Sequence, residues 1–317
     1  MTQQTTHCDP TRFIGCDVGK KRIVVFDSAG ERTTQLDNER RALAAFARGL
    51  DETCLVICEA TGGHEAALLD ALVRAGVPAH RADARKVKFY IRSWGTLGKS
   101  DSIDARALAR YGLDRHRSLR RWSAPDRQRI RLQALVRTRD DLVNDRTAHN
   151  NRLTAPGGAV VAPVLKKLLA CLERQIRRIE ADINALIDGC EELARCRRAL
   201  EQIEGIGPTS SAALIAHMPE LGAMTRREAA ALAGLAPHPN QSGDTDGYRP
   251  TRGGRREIKK ALFMPALSAG RHHPQLRRLK ERLIANGKKP IVANTAVMRK
   301  LVVIANAKIR DEFQNNI

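Results

Sequence analysis

Four acidic residues in the first third of the chain have types and spacings suited to binding divalent metal ions. Asp17 lies on the first predicted strand, and Glu59 ends the apolar run Cys54–Glu59, which is typical of a buried central strand. Asp101 and Asp104 are three residues apart at the start of a predicted helix, so they face one side of it. A carboxylate at the end of an apolar strand costs free energy unless it is paired or binds a metal.

Convergence of the four acids requires two neighbouring central strands and a helix laid across the sheet. Hard oxygen ligands without His or Cys favour Mg²⁺ or Mn²⁺. Two such ions ~4 Å apart clamp a phosphodiester and stabilise its attacking and leaving oxygens. Structural roles are the alternative: Asp17 as a turn residue, Asp101 as a helix N-cap and Asp104 as a first-turn acid.

The elements that must position these acids fall into three regions. Residues 10–115 alternate strand and helix patterns, which predicts an α/β domain. Residues 116–198 are predicted to be helical, with an apolar seam typical of a coiled coil or a helical hairpin. The seam consists of Leu165, Leu168, Leu172, Ile176, Ile179, Ile183 and Leu186. Both an intramolecular hairpin and dimerisation through this seam are consistent with that pattern. Residues 199–317 are predicted to be helical, so the fold class is α/β plus all-α.

The third region begins with a glycine turn between two short helices. Gly205 and Gly207 lie in Ile203–Pro208, which matches a helix-hairpin-helix whose exposed N–H groups suit a DNA phosphate. A plain helical turn is the alternative. A loop rich in Gly, Pro and Asp follows at 236–254 and contains Ser242, which in isolation is typical of a common Ser-Gly turn.

The charge balance favours a polyanion partner. The chain has 55 Lys and Arg against 35 Asp and Glu, a net charge of +20. Between Arg249 and Lys300 there are 15 basic residues and two acids. Aromatic residues are only 3%, so phosphate contact rather than base stacking is predicted as the main binding mode.

The composition also excludes several classes of protein. No apolar run approaches the ~20 residues that a membrane-spanning helix needs, and residues 1–10 lack the apolar core of a signal peptide. Seven Cys without paired CxxC motifs make a disulfide framework or zinc ribbon a poor fit. The sequence therefore predicts a cytoplasmic protein with no membrane partner.

Ordered motifs along nearly the whole chain resemble insertion-sequence transposases of the IS110 family. The N-terminal motifs are Phe13-Ile14-Gly15-Cys16-Asp17-Val18, Cys58-Glu59-Ala60-Thr61-Gly62 and Lys99-Ser100-Asp101-Ser102-Ile103-Asp104. The C-terminal motifs are Glu204-Gly205-Ile206-Gly207-Pro208, Leu232-Ala233-Gly234-Leu235-Ala236-Pro237, Gln241-Ser242-Gly243, Arg252-Gly253-Gly254 and Asn286-Gly287-Lys288-Lys289. Any one of these motifs is weak, but the ordered set is specific.

The resemblance implies a fold, a chemistry and partners that the spacing alone does not. It implies an RNase H-like (RuvC-like) domain whose metal-binding tetrad is Asp17, Glu59, Asp101 and Asp104. It implies a separate transposase domain whose nucleophilic serine corresponds to Ser242, and DNA strand transfer through a covalent phosphoserine. It further implies a bridge RNA that pairs with donor and target DNA, and assembly as dimers or tetramers.

The candidate nucleic-acid contacts combine the turn glycines with basic residues of the third region. They are Gly205, Gly207, Arg249, Arg252, Arg255, Arg256, Lys259, Lys260, Lys288 and Lys289. The basic residues could equally be a solvated face.

Two alternative functions stay open from the sequence. A metal-dependent nuclease of the Holliday-junction-resolving type would use water in place of Ser242. A non-catalytic DNA-binding protein would use the acids only as structural caps. Both alternatives keep DNA as the partner, but they make different predictions for Ser242→Ala and Glu59→Ala.

Overall fold

The computed structural model describes residues 9–93, 101–124, 126–242, 245–247 and 249–314. For residues 101, 102, 242, 245 and 246 it describes the backbone and not the side chain. Contacts group the chain into two compact units, residues 1–124 and 125–317. The helices of the predicted middle region belong mainly to the second unit.

The first unit is built on a five-stranded mixed sheet. Its strands are β1 (Arg12–Val18), β2 (Arg22–Asp27), β3 (Arg32–Asp37), β4 (Cys54–Glu59) and β5 (Ala79–Ala82). The order across the sheet is β3-β2-β1-β4-β5. β1, β4 and β5 are parallel, while the β1–β2 and β2–β3 pairs are antiparallel hairpins. The predicted α/β class is confirmed, and this sheet is compatible with a RuvC-like domain.

Four helices cover the two faces of the sheet: α1 (Arg40–Arg48), α2 (Ala66–Arg74), α3 (Ala84–Arg92) and α4 (Asp101–Arg115). Strand residues alternate between the faces. One face packs Ile14, Cys16 and Val56 against leucines of α1 and α2. The other packs Phe13 and Ile57 against α4. The central strands β1 and β4 are therefore buried on both sides, as their continuous apolar runs predict.

The second unit is mainly helical. Its helices are α5 (Arg127–Thr154), α6 (Gly158–Asp188), α7 (Glu191–Glu201), α8 (Pro208–His217), α9 (Arg226–Leu232), α10 (Arg256–His272), α11 (Pro274–Ala285) and α12 (Pro290–Gln314). Between α9 and α10 lie two short paired strands, β6 (Gln241–Ser242) and β7 (Thr245–Asp246).

The long helices α5 and α6 form a hairpin within the chain. Leu132 and Val136 of α5 share a core with Ile183 and Ile187 of α6. The predicted seam is correct at Leu165, Leu172, Ile176 and Ile183, which are buried. It is wrong at Leu168, which is 38% exposed, because the buried stripe uses Leu169 instead. None of the helices in the described ranges is long and apolar enough to cross a membrane.

Candidate active site and nucleic-acid interface

Asp17 and Glu59 lie side by side at the end of the two central strands. The parallel register pairs Cys16 of β1 with Cys58 of β4, and the next residues along the two strands are Asp17 and Glu59. By strand alternation both acids share the face of Phe13 rather than the face of the two cysteines. That face is the one covered by α4, so the predicted pairing of the two strand-end acids is present in the fold.

Helix α4 crosses this face in direct contact with β1. A Cβ added at Gly15 would lie 1.9 Å from the carbonyl oxygen of Ala105 and 2.5 Å from the backbone nitrogen of Ala109. Further along the helix, a Cβ added at Gly112 would meet Ile57 and Phe13. The helix therefore runs antiparallel to β1, and its N-terminus lies toward the strand end that carries Asp17.

The remaining two predicted acids belong to that N-terminal end of α4. Asp104 immediately precedes Ala105, which contacts Gly15, and it is partly exposed. Asp101 is the first residue of the helix, and its side chain lies outside the described part of the structure. The backbone thus places both helix acids toward the edge of the sheet where Asp17 and Glu59 end their strands.

The donor set at this edge suits a hard divalent cation. Every candidate ligand is a carboxylate, and carboxylate oxygens are preferred by Mg²⁺ and Mn²⁺. Among the described side chains, which omit that of Asp101, no group of three or more His, Cys, Asp or Glu is close enough to hold a metal. The predicted four-acid site also includes Asp101, whose side chain is not among those described.

The cysteines beneath the acids are not alternative ligands. Cys16 and Cys58 are fully buried on the opposite face of the sheet. Burial raises the pKa of both thiols, that of Cys58 to about 12. Since the thiolate is the form that binds metals, these cysteines remain neutral core residues.

A buried carboxylate that the sequence analysis did not single out shapes the loop after Glu59. Glu65 is 2% exposed, and its Oε2 accepts hydrogen bonds from the backbone of Thr61 at 3.2 Å and of Gly63 at 2.9 Å. Its Oε1 accepts a 2.7 Å bond from Nε of Arg81 on β5. Burial favours the neutral acid, but these hydrogen bonds and the Arg81 charge hold the pKa of Glu65 below its ordinary value.

Asn38 joins this loop to the turn after Asp17. Its side-chain Nδ2 donates to the carbonyl oxygen of Gly19 at 3.0 Å and to that of His64 at 3.1 Å. The loops that follow β1 and β4 are thereby connected on the rim of the acidic edge. Asn38 and Glu65 therefore hold these two loops in place. Only their positions in the sequence could have suggested them, since Asn38 directly follows β3 and Glu65 follows Glu59 by six residues.

The segment predicted as a loop at 236–254 forms a β-hairpin. Ser242 is the last residue of β6 and pairs with Thr245, while Pro237 pairs with Thr251 nearer the base. The backbone of His238 donates to Pro250. Ser242 is therefore the last residue of the first strand of this hairpin, and its side chain is outside the described part.

Two glycine motifs cross at the base of this hairpin. A Cβ at Gly254 would lie 2.1 Å from the backbone nitrogen of Gly234, and one at Gly234 would lie 2.4 Å from the carbonyl oxygen of Gly253. Both Gly234 and Gly254 have positive φ, which favours glycine. The backbone of Arg255 also donates to Leu232 at 2.7 Å. The crossing fixes where the Ser242 hairpin leaves the helical core.

The glycine turn between α7 and α8 has the geometry of a helical hairpin. Gly205 has φ +94° and packs on α10, where a Cβ would lie 2.5 Å from the carbonyl oxygen of Pro265. Gly207 is the N-cap of α8, and a Cβ there would meet nothing within 4 Å. Of the two predicted phosphate contacts, Gly207 therefore lies on the open side and Gly205 on the packed side.

Several of the predicted basic contacts have partners within the second unit. Arg255 makes two 2.7 Å hydrogen bonds to the carboxylate of Glu220 and a third to the carbonyl oxygen of His217. Lys260 pairs with Asp140, and Lys259 donates to Thr251. The exposed side chains of the set are Arg249, Arg252, Arg256, Lys260, Lys288 and Lys289. The geometry thus gives Arg255 a structural ion pair within the second unit.

Comparison with known proteins matches both halves of the chain. Residues 14–156 match the DEDD transposase domain of the IS110 type, and residues 197–281 match the domain described as transposase, IS116/IS110/IS902 family. The chain is 28% identical over 267 residues to the pilin gene-inverting proteins of Moraxella bovis and Moraxella lacunata, covering 81% of this chain and 80% of each relative. An insertion element IS110 43.6 kDa protein of Streptomyces coelicolor is 30% identical over 154 residues, or 48% of this chain and 37% of the relative.

Proposed function

The chain belongs to the IS110 family of transposases, and from that premise we propose that it cuts and rejoins DNA through a phosphoserine intermediate. Its enzyme class, a DNA transposase or recombinase, follows from both domain matches and from the DNA-inverting relatives. The observation that carries the proposal is the placement of Asp17 and Glu59 at one edge of the sheet, on the face that α4 crosses.

The DEDD domain match suggests dependence on a divalent metal. We assign Mg²⁺ or Mn²⁺ to Asp17, Glu59, Asp101 and Asp104. When bound, the metal would supply charge stabilisation for the phosphate and its leaving oxygen. Glu65 and Asn38 keep the loops beside Asp17 and Glu59 in place, so these carboxylates are held in position before DNA arrives.

Ser242 is the proposed nucleophile. Its oxygen forms a bond to phosphorus as the bond from phosphorus to the leaving DNA oxygen breaks, and the serine proton is transferred so that the leaving oxygen ends protonated. The reverse step joins a new DNA hydroxyl to the same phosphorus and frees the serine. One phosphodiester replaces another throughout, so no ATP is required. A serine hydroxyl is a weak nucleophile unless a neighbouring base or a metal ion activates it.

A structured guide RNA and self-association as a dimer or tetramer complete the proposal. The net charge of +20 favours binding to polyanions, and DNA and RNA are both polyanions. The exposed Arg252, Arg256, Lys288 and Lys289 are candidate phosphate contacts. Purifying the protein from cells that carry its native flanking DNA and sequencing the bound RNA tests the guide: one discrete flanking RNA supports it, and a smear of cellular RNA contradicts it.

The covalent step is tested with labelled DNA carrying the element ends. Wild-type protein is expected to form a denaturant-resistant adduct that Ser242→Ala abolishes, while Ser268→Ala on α10 retains it. Glu59→Gln is expected to lose both cutting and adduct. If Ser242→Ala still cuts and no adduct forms with the wild type, the protein is instead a nuclease that uses water. If Glu59→Gln leaves all activity intact, the acids are structural.

A further inference from the structure

Helix α3 exposes an aromatic ring on its outer face. Phe89 is 69% exposed. The opposite face of the helix is apolar in the usual way, with Val87 buried and Ile91 packed against the same core as Phe13. Phe89 is therefore not part of the core of the first unit, and packing within this unit does not explain why an aromatic residue occupies the position.

Exposed cations surround this ring. Arg85 and Arg92 lie four residues before and three residues after Phe89, so they are its neighbours on the helix surface. Lys86 and Lys88 are exposed on the same helix, and residues 84–92 include no acid. Within the described part of the chain, none of these four cations pairs with a carboxylate.

The ring and the cations together define the chemistry of a partner. An exposed ring gains free energy when a flat apolar surface covers it, and four exposed cations favour a partner with repeated negative charge. Single-stranded nucleic acid offers both, because its bases expose their faces and its phosphates follow the backbone. Duplex bases are stacked on each other and do not offer their faces.

We propose that Phe89 is a stacking platform for an unpaired base of the DNA strand that passes the acidic edge, and that Arg85, Lys86, Lys88 and Arg92 contact its phosphates. The position of α3 makes DNA the assigned strand. The helix begins two residues after Ala82, whose partner on β4 is Glu59. The proposal rests on the proposed function, since it needs DNA to lie at that edge.

Binding of a short fluorescent single-stranded oligonucleotide in EDTA tests the platform without any cutting. Phe89→Ala is expected to weaken binding by about 5- to 150-fold, the effect of losing one base–aromatic stack, without changing the salt dependence. Phe89→Trp is expected to preserve the affinity. Lys88→Gln and Arg92→Gln are each expected to reduce the slope of log affinity against log salt by about 0.7.

The controls separate stacking from unfolding and from other partners. Val160→Ala, which removes most of an 85%-exposed apolar side chain on α6, is expected to leave binding unchanged. Equal thermal stability of Phe89→Ala and wild type is the check on folding, and a matching duplex is expected to show no effect of Phe89→Ala.

Three results would overturn the platform: unchanged single-strand affinity in Phe89→Ala, an equal loss on duplex DNA, or a loss confined to RNA of the same sequence. The last would assign the ring to an RNA strand. If Phe89→Ala weakens single-strand binding but the wild type forms no serine adduct, the proposed function alone is refuted. If the adduct forms but Phe89→Ala leaves binding unchanged, the platform alone is refuted.

Discussion

Asp17 and Glu59 occupy equivalent places on neighbouring parallel strands, each one residue beyond the register pair Cys16–Cys58. Adjacent strands lie about 4.8 Å apart, so the two carboxylates begin from backbone positions within reach of a single cation. No loop needs to fold to bring them together. Their proximity is a property of the central strand pair of the sheet.

Glu59→Gln is expected to remove the stabilisation that divalent metal gives the protein. Thermal unfolding of the wild type should shift to higher temperature as Mg²⁺ or Mn²⁺ is added, because a ligand that binds only the folded state stabilises it. The variant should unfold at the same temperature with and without metal. Asp70→Asn, on the exposed face of α2, should respond like the wild type. An unchanged metal response in Glu59→Gln would exclude Glu59 as a ligand.

Gly15→Ala is expected to destabilise the first unit by at least about 1–3 kcal/mol. The added methyl would overlap the backbone of α4 at Ala105 and Ala109, and backbone atoms cannot move aside as a flexible side chain does. The free energy of unfolding from denaturant titration measures the effect. Gly30→Ala, whose added Cβ finds its nearest neighbour at 3.5 Å, is the matched control. Equal stability of the two variants would contradict the close helix contact.

Glu65→Gln is expected to cost about 1–3 kcal/mol at neutral pH, since it removes the charge that Arg81 and two backbone N–H groups bind. The pKa of Glu65 is lowered in the folded protein. Its contribution is therefore complete above the unfolded value of about 4.3 and is lost as the pH falls through the folded pKa.

The measurement is the free energy of unfolding of wild type and Glu65→Gln between pH 7 and pH 3. The difference between them should shrink as the pH falls below about 4.3. Asp70→Asn breaks an exposed ion pair with Arg74 and should change stability by less than about 1 kcal/mol. A difference that stays constant with pH would mean that the charge of Glu65 is not what stabilises the loop.

Gly254→Ala is expected to be more disruptive than Gly253→Ala. Both glycines have φ near +70°, so both substitutions incur the same backbone strain of about 1–2 kcal/mol. Only the Gly254 methyl would collide with the backbone of Gly234, whereas nothing lies within 4 Å at Gly253. Thermal stability and yield of the serine adduct should both fall further in Gly254→Ala. The reverse order would show that the crossing does not position the hairpin.

Substitution of Arg255 and substitution of Lys288 and Lys289 are expected to impair different properties of the protein, stability in the first case and DNA binding in the second. Arg255→Gln should lower the stability of the second unit by about 1–3 kcal/mol, because it leaves Glu220 without its partner. Replacing both Lys288 and Lys289 by Gln should leave stability unchanged and reduce the salt slope of duplex binding by about 1.8. Thermal melts and salt titrations of binding distinguish the two effects.

The sequence predicted the elements that depend on local pattern. The apolar runs around Cys16 and Cys58 predicted two buried strands, and the spacing of Asp101 and Asp104 placed both at a helix start. The path of α4 over the sheet was not predictable, because it depends on the missing side chain of Gly15, which lets β1 contact the backbone of Ala105 and Ala109 much later in the chain. Leu168 was wrongly predicted to be buried because a step of three residues and a step of four residues from Leu165 both reach a leucine.

Residues that act through distant partners escaped sequence reasoning. Glu65 reads as an ordinary surface acid before a helix, and only β5 shows that Arg81 meets it. Arg255 reads as one cation in a basic run, yet Glu220 lies 35 residues earlier in the chain. The hairpin at 236–254 was predicted only as a loop because its strands are only two residues long and are flanked by Pro237, Pro239 and Pro250.

The antiparallel course of α4 over β1 also has an electrostatic consequence. Peptide dipoles add along a helix to give roughly half a positive charge at its N-terminus. In this fold that end points toward the strand ends of Asp17 and Glu59 and itself begins with Asp101. The helix therefore offsets part of the mutual repulsion between Asp17 and Glu59 even without a cation, which would allow the proposed metal site to form before a metal ion binds.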